Sequence, residues 1–286
     1  MARLGPHTVN RTGFGAMQLA GPRVFGPPAD PAAARAVLRR ALELGVDHID
    51  TAQFYGPDVV NELIRDALHP YPAGLRIVSK VGARRDGRGG VLAAPYPDEL
   101  RAGVVANLQT LKVDELALVN LRLMGSDPRG RVLLAEQLGA LKTLEAEGKI
   151  ESIGLSNASV DEVASALEMV DLGEVQNAYN IGRRDDEDVL RFCAERHIAY
   201  VPFFPIGSPD DPAISSVAAK YRTTRAQIAL AWLLHKDQHV LLIPGTSSVA
   251  HLEQNVAAAR IVLDGDDLAA LDGVSPVRVM RSAGGR

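Results

Sequence analysis

Residues 48–56 read HIDTAQFYG, a short apolar strand that ends in an acid and continues into a loop carrying a tyrosine. Similar short apolar runs recur along the chain at intervals of roughly 25–40 residues, which is typical of parallel strands buried on both faces. We predict eight such strands: Gly13–Met17, His48–Asp50, Arg76–Lys80, Leu116–Arg122, Ser152–Leu155, Val175–Asn177, Ala199–Phe204 and Val240–Ile243.

Amphipathic helices are predicted between these strands. Asp30 and Ser159 have the form of N-caps, and Gly45 and Gly148 follow the last periodic residue of two helices. Eight strand–helix units favour an α/β fold of the (β/α)8 TIM-barrel type. The alternative, a doubly wound open sheet, usually has a Gly-x-Gly-x-x-Gly turn after its first strand, and Gly13–Met17 lacks the third glycine.

Composition excludes several classes of protein. The chain has 286 residues, 47% of them hydrophobic, a formal net charge of −4 and one cysteine. These values argue against a disordered chain, a basic nucleic-acid-binding surface, an intramolecular disulfide and a zinc site, so we predict no metal. Cys193 lies among apolar neighbours and is predicted to be a core residue. No apolar leader or membrane-spanning run is visible, which predicts a cytoplasmic protein.

The ends of the predicted strands carry the candidate catalytic residues. Asp50 closes the second strand and Lys80 the third, and because a buried charge is costly alone, we expect the two to pair. Tyr55 follows five residues after Asp50, and a neighbouring ammonium would lower its pKa from about 10. A structural ion pair beside a surface tyrosine is the alternative. Arg122 closes the fourth strand, where it could also pair with a loop carboxylate.

Several ordered motifs make the sequence resemble the aldo-keto reductases over nearly its whole length. They are Asp50–Gly56, Lys80, Gly154–Asn157, Gln176–Asn180 and Ile243–Thr246. The resemblance implies one (β/α)8 barrel over residues 1–286 that binds NADPH/NADP+. Within it, the basic, glycine-containing composition from about residue 277 predicts a mobile tail. It also implies a catalytic tetrad containing Asp50, Tyr55 and Lys80, with Tyr55 as the proton donor.

Arg122 stands where the resembled family usually has a histidine. An arginine keeps its charge and cannot serve as the acid or base, so proton donation falls on Tyr55. Arg122 could orient the carbonyl and stabilise developing oxyanion charge, or contact a hydroxyl or phenolate of the substrate.

The resemblance also implies a cofactor site along the ends of the later strands. Ser156, Asn157 and Gln176 would bind the carboxamide, Phe203 would stack on the nicotinamide, and the start of the helix at Val249, after the eighth strand, would bind phosphate. His251 stands where the family often has an arginine, which leaves the preference for NADPH over NADH open. The predicted cofactor residues are Ala16, Met17, Asp50, Ser156, Asn157, Gln176, Phe203, Phe204, Pro205, Ile206, Gly207, Pro244, Gly245, Thr246, Ser247, His251, Gln254 and Asn255.

The substrate is suggested by a narrower resemblance. Residues 13–19, 26–28 and 201–205, together with Arg122, are similar to bacterial pyridoxal reductases, which implies reduction of pyridoxal to pyridoxine. A broad-specificity aldehyde or ketone reductase is one alternative, and a cofactor-binding regulatory subunit of a membrane channel is another. The expected partner is a small aldehyde, with no nucleic acid and no membrane, and the oligomeric state stays open.

Overall fold

The computed structural model describes residues 1–125, 130, 132–207 and 210–276, and the predicted mobile tail lies outside them. The strands in the described part are β1 (Ala2–Leu4), β2 (His7–Val9), β3 (Phe14–Gly15), β4 (His48–Asp50), β5 (Arg76–Val81), β6 (Ala83–Arg85), β7 (Val91–Ala93), β8 (Leu118–Arg122), β9 (Ile153–Ser156), β10 (Leu172–Gln176) and β11 (Ala199–Tyr200). The α-helices there are α1 (Pro31–Glu43), α2 (Val59–Leu68), α3 (Pro97–Leu111), α4 (Leu134–Ala146), α5 (Val160–Leu167), α6 (Glu187–Glu195), α7 (Pro212–Lys220), α8 (Arg225–Lys236), α9 (Val249–Ala257) and α10 (Gly265–Asp272).

Seven parallel strands form one curled sheet in the order β11-β10-β9-β8-β5-β4-β3. Residues 240–243 join its two edges, because Leu241 N donates to Tyr200 O at 3.0 Å and Gly13 N donates to Leu242 O at 2.8 Å. A Cβ on Gly15 would lie 2.4 Å from Ile243 O, so a glycine is needed where this seam closes. The architecture is therefore of the predicted (β/α)8 type.

The eighth strand differs from the prediction. Val240 and Leu242 make isolated bridges to Tyr200 and Thr12 instead of a regular strand. Because β3 and β11, the two edges it joins, are only two residues each, there is too little backbone on either side for a continuous ladder. The predicted first strand likewise shortens to β3, and a 3-10 helix over Ala16–Leu19 follows it.

Two antiparallel hairpins were not predicted. β1 and β2 precede the barrel, and β6 and β7 occupy a segment predicted to be a long loop, Gly82–Pro97.

The structure confirms the predicted helix ends. Asp30 and Ser159 cap α1 and α5 through their side chains, and Gly45 and Gly148 have φ of 86° and 68°.

The core has two parts. The larger lies between the sheet and the helices, and the smaller fills one end of the barrel interior. Leu4 and Val9 of the β1–β2 hairpin belong to the interior part, together with Val78 and Leu118. This apolar layer lies toward the amino ends of the parallel strands, so polar side chains inside the barrel are left to the carboxyl ends.

Candidate active site

A cavity of about 430 Å³ opens at the carboxyl ends of the barrel strands. Barrels of this type carry their active sites at that end. The cavity is lined by Gly15, Met17, Gln18, Asp50, Phe54, Tyr55, Lys80, Arg85, Val91, Arg122, Gln176, Phe203, Phe204, Pro205, Ile206, Gly207, Ile243 and Gly245.

Asp50 and Lys80 form the predicted ion pair, at the ends of β4 and β5. Each residue is only 4% exposed, and the Lys80 ammonium contacts Asp50 Oδ1 and donates to Thr51 O at 3.1 Å. Burial is the largest single effect on Lys80 and lowers its pKa, but the charges of Asp50, Tyr55 and Glu174 and the hydrogen bond to Asp50 together outweigh it, so the net shift is upward. Lys80 is therefore held as a cation against the cavity wall.

Tyr55 lies beside this pair, in the loop that follows β4. Lys80 Nζ is 5.4 Å from the centre of the Tyr55 ring, and Tyr55 is 8% exposed. The expected lowering of its pKa is wrong: burial raises the pKa of Tyr55, and the Lys80 and Arg122 cations only partly offset it. The hydroxyl is therefore protonated at neutral pH, the form that a proton donor needs.

Arg122 ends β8 and reaches toward the same space. Its Nη1 donates to Ser156 Oγ at 3.1 Å, and its Cζ is 5.4 Å from the centre of the Phe203 ring. Burial lowers the pKa of Arg122, while Tyr55 and Asp50 act to raise it. The Ser156 hydroxyl, predicted to bind a carboxamide, thus serves here as an acceptor for the guanidinium.

A buried acid that the sequence analysis missed lies next to Asp50. Glu174 Oε1 accepts from Asn120 Nδ2 and from Gln176 Nε2, each at 2.6 Å, and Gln176 Nε2 also donates to Asp50 Oδ2 at 2.7 Å. Burial, followed by the charge of Asp50, raises the pKa of Glu174 to about 7. The sequence could have indicated Glu174, because residues two positions apart on a strand point to the same face and Gln176 was already a candidate site residue.

Arg85 is a second missed residue. It reaches the cavity from the β6–β7 hairpin, where its Nε donates to Phe54 O at 3.2 Å and its Nη1 to Gly89 O at 2.7 Å. The arginine-rich character of this segment is visible in the sequence. Which of its arginines turns inward depends on the hairpin, for which no turn signal was recognised.

The predicted cofactor residues divide into two groups. Those lining the cavity are Met17, Asp50, Gln176, Phe203, Phe204, Pro205, Ile206, Gly207 and Gly245. Those outside its lining are Ala16, Ser156, Asn157, Pro244, Thr246, Ser247, His251, Gln254 and Asn255. Several of the second group surround the start of α9, where Ser248 accepts from His251 N at 3.4 Å and Thr246 accepts from Ser248 N at 3.0 Å. Gly245 connects this helix start to the cavity.

One buried amide oxygen of a cavity residue, Gln176 Oε1, has no hydrogen-bond partner in the described part of the chain. An acceptor in that state is costly unless a ligand donor satisfies it. Phe203 and the 55% exposed Phe204 provide aromatic surface on the same cavity. The residues present therefore fit a flat ring that carries an amide.

The described residues contain neither a metal-binding cluster nor a membrane-spanning helix. No group of three or more His, Cys, Asp or Glu side chains there could hold a metal ion. In the same part of the chain, every helix is too short or too polar to cross a bilayer.

Comparison with known proteins identifies the family. A model described as the aldo/keto reductase family matches residues 11–276. Pyridoxine 4-dehydrogenase of Escherichia coli is 48% identical over 277 residues, which cover 95% of this chain and 97% of that protein.

Two solved structures support the same assignment. A thermostable aldo-keto reductase, crystallised with the inhibitor epalrestat, has a TM-score of 0.81 at 27% identity, covering 94% of this chain and 97% of that one. An aldo/keto reductase from Klebsiella pneumoniae, in complex with NADP and acetate, has a TM-score of 0.77 at 28% identity, covering 95% of this chain and 93% of that one.

Proposed function

The chain belongs to the aldo/keto reductase family, and we propose that it reduces an aldehyde, foremost pyridoxal, to the alcohol with NADPH. The observation that carries the proposal is the buried Asp50–Lys80 pair beside the protonated Tyr55 on one cavity wall. The choice of pyridoxal rests on the 48% identity to a pyridoxine 4-dehydrogenase.

Four side chains have separate roles in the proposed reaction. Tyr55 donates its proton to the carbonyl oxygen, and Lys80 stabilises the phenolate that this leaves. Asp50 keeps Lys80 charged and in place through the ion pair. Arg122, permanently charged and beside Tyr55, orients the carbonyl or a second oxygen of the substrate.

NADPH would be held by Gln176 at its carboxamide, by Phe203 and Phe204 against its ring, and at its phosphate by the start of α9. When bound, it supplies the two electrons and the hydrogen that reach the carbonyl carbon. His251 at α9 is exposed and would contact the 2′-phosphate more weakly than an arginine.

The charge of the cavity supports an anionic or phenolic substrate. Lys80, Arg85 and Arg122 contribute three cations to its lining, and the acid Asp50 is already paired with Lys80. Pyridoxal carries an aldehyde beside an ionisable ring hydroxyl. Its phenolate would therefore pair with one of these cations, whereas a plain aromatic aldehyde has no phenolate to pair.

Two other functions remain to be separated by experiment. The apolar lining from Phe54, Val91 and Phe203 favours a broad-specificity aldehyde or ketone reductase as the second candidate. A regulatory, cofactor-binding role at a membrane channel is disfavoured because Asp50, Tyr55 and Lys80 meet in one cavity.

The test follows NADPH absorbance with pyridoxal and with benzaldehyde as separate substrates. We expect oxidation with both, and a kcat/KM for pyridoxal that is at least about tenfold higher. Equal values would favour the broad reductase, and no oxidation with any aldehyde despite NADPH binding would overturn the enzyme proposal. The cytoplasmic location also stays a proposal, which cell fractionation would check.

Replacing Arg122 with histidine is expected to raise KM for pyridoxal by about tenfold, because a charge-assisted hydrogen bond to the phenolate is lost. KM for benzaldehyde should change by less than about threefold, since that substrate has no second oxygen. Steady-state kinetics with both substrates measure the difference. An unchanged rate and substrate preference would exclude a special role for this arginine.

A further inference from the structure

Glu174 is a buried carboxyl group that the proposed reaction does not use. It lies inside the barrel on β10 and is 2% exposed, immediately beneath the cavity residue Gln176. The register between β10 and β9 shifts between Leu172 and Val175, so Glu174 sits in an irregular stretch of the sheet. Such irregularities commonly re-aim a side chain near an active site.

The surroundings of Glu174 are built to hold it. Asn120 Nδ2 donates to Glu174 Oε1 from the neighbouring strand β8. Room for that amide depends on a glycine, because a Cβ on Gly154 would lie 2.3 Å from Asn120 Oδ1. Burying a carboxylate is costly unless hydrogen bonds satisfy it, and both bonds here come from side-chain amides.

While Asp50 and Glu174 are both ionised, the Gln176 amide has only one favourable orientation in this network. Its Nε2 lies 2.7 Å from Asp50 Oδ2 and 2.6 Å from Glu174 Oε1. Turning the amide over would place its oxygen against two carboxylate oxygens, which repel it. Two acids therefore hold the nitrogen, and the oxygen that remains is the buried, unpaired Gln176 Oε1.

We infer that Glu174 is a positioning residue, which together with Asp50 fixes the Gln176 amide so that its oxygen accepts from the nicotinamide carboxamide. The inference rests on the proposed function, because it takes a nicotinamide cofactor as the donor. Glu174 itself touches neither cofactor nor substrate. It acts through Gln176, and it sets how tightly the cofactor is bound.

The protonation state of Glu174 affects cofactor binding because ionised and neutral carboxyl groups make different hydrogen bonds. The ionised group only accepts, which suits the two amide nitrogens. A protonated group gains a donor, and its acceptors would be the amide oxygens of Gln176 and Asn120, neither of which has a partner in the described chain. Protonation would therefore compete with the cofactor for Gln176 Oε1.

Other charges act on the same group. Asp50 on β4 raises the pKa of Glu174 and Lys80 on β5 lowers it, while Arg122 on β8 and Tyr55 lie farther along the cavity wall. With the pKa of Glu174 raised to about 7, cofactor affinity should increase as the pH rises through neutrality. The sign follows because the ionised form is the one that holds Gln176 in its binding orientation.

The experiment measures the dissociation constant of NADP+ by calorimetry for the wild-type protein, Glu174→Gln, Glu174→Leu and a control, Leu118→Ala. Leu118 belongs to the apolar interior layer, so its truncation destabilises the barrel without removing a bond to Gln176. Titrations at about pH 6 and about pH 8 report the proton linkage. The phosphate of the cofactor titrates equally with every variant, so differences between proteins isolate Glu174.

We expect Glu174→Leu to weaken NADP+ binding by about tenfold at about pH 8. Glu174→Gln is neutral at every pH and carries a donor, as protonated Glu174 does, so we expect it to bind NADP+ at about pH 8 about as weakly as wild type does at about pH 6, with a smaller dependence on pH. The control should bind as wild type does.

Two outcomes overturn the inference alone: wild-type affinity in Glu174→Leu, or the full wild-type pH dependence in Glu174→Gln. If Glu174→Leu does not fold, the comparison between wild type and Glu174→Gln decides. A wild-type protein that binds no NADP+ at either pH overturns the proposed function as well.

Discussion

Replacing Tyr55 with phenylalanine is expected to lower kcat for pyridoxal reduction by about 10²–10⁴-fold, the range over which a positioned general acid contributes. The substitution removes one oxygen and keeps the ring, which packs edge-on against Phe54 at 5.2 Å between ring centres. Affinity for NADP+ should stay within about threefold of wild type, because the hydroxyl is assigned to the carbonyl and not to the cofactor.

The matched control is Tyr71→Phe. Tyr71 donates its hydroxyl proton to Leu111 O at 2.7 Å and is absent from the cavity lining. It tests whether loss of any partly buried tyrosine hydroxyl lowers the rate through stability. Single-turnover kinetics would separate the chemical step from release of product. Full activity in Tyr55→Phe would overturn the mechanism, and an equal loss in both variants would assign the effect to folding.

The site residues that lie at strand ends could be predicted from the sequence. Asp50 is the last residue of its short apolar strand and Lys80 the next-to-last residue of its own, and parallel strands bring their carboxyl ends to one rim. The cost of burying either charge alone then predicts the pair that is observed. No knowledge of side-chain positions was needed for that step.

The direction of the Tyr55 pKa shift was not predictable in the same way. The sequence shows that a cation lies near Tyr55, which argues for a lower pKa. It does not show how completely the ring is buried, and burial dominates. Two opposing electrostatic effects of similar size cannot be ranked before the packing is known.

The position of Arg85 in the cavity and the irregular pairing of the last barrel segment could not be predicted, because both depend on local structure. Arg85 is directed by a hairpin between Ala83 and Ala93 that pairs only three residues on each side. Residues 240–243 have an apolar strand-like sequence, but the short edges they join allow bridges without a ladder. Sequence periodicity detects regular elements and says little about segments this short.

Replacing Lys80 with methionine is expected to produce the largest loss of stability among the substitutions considered, about 3–5 kcal/mol. Asp50 is 4% exposed, and without the ammonium its charge would stay buried with Gln176 as its remaining side-chain donor. Activity should also fall, because Tyr55 loses the cation that stabilises its phenolate. Chemical denaturation monitored by circular dichroism gives the free energy of unfolding.

The double variant Asp50→Asn/Lys80→Met separates the two effects, because it removes both charges together. Replacing a buried ion pair by neutral groups is often close to neutral for stability, so we expect the double variant to recover at least about half of the loss. Its activity should stay as low as that of the single variant, since the cation beside Tyr55 is still absent. A double variant no more stable than Lys80→Met would show that the methionine packs badly, and that the unpaired charge is not the cause.

The pH dependence of Lys80→Met provides an independent check on the same charge. Without the ammonium, the buried Asp50 carboxylate has no cation beside it, and burial favours its neutral, protonated form. The folded variant then binds a proton more tightly than the unfolded chain, so its stability falls as the pH rises from acid toward neutrality, and the deficit against wild type is smallest in acid. A deficit that does not depend on pH between about 4 and about 7 would contradict the assignment to Asp50. In the double variant, which lacks the carboxyl group, this pH dependence should disappear, and the remaining loss would then measure how well the two neutral replacements fit the site.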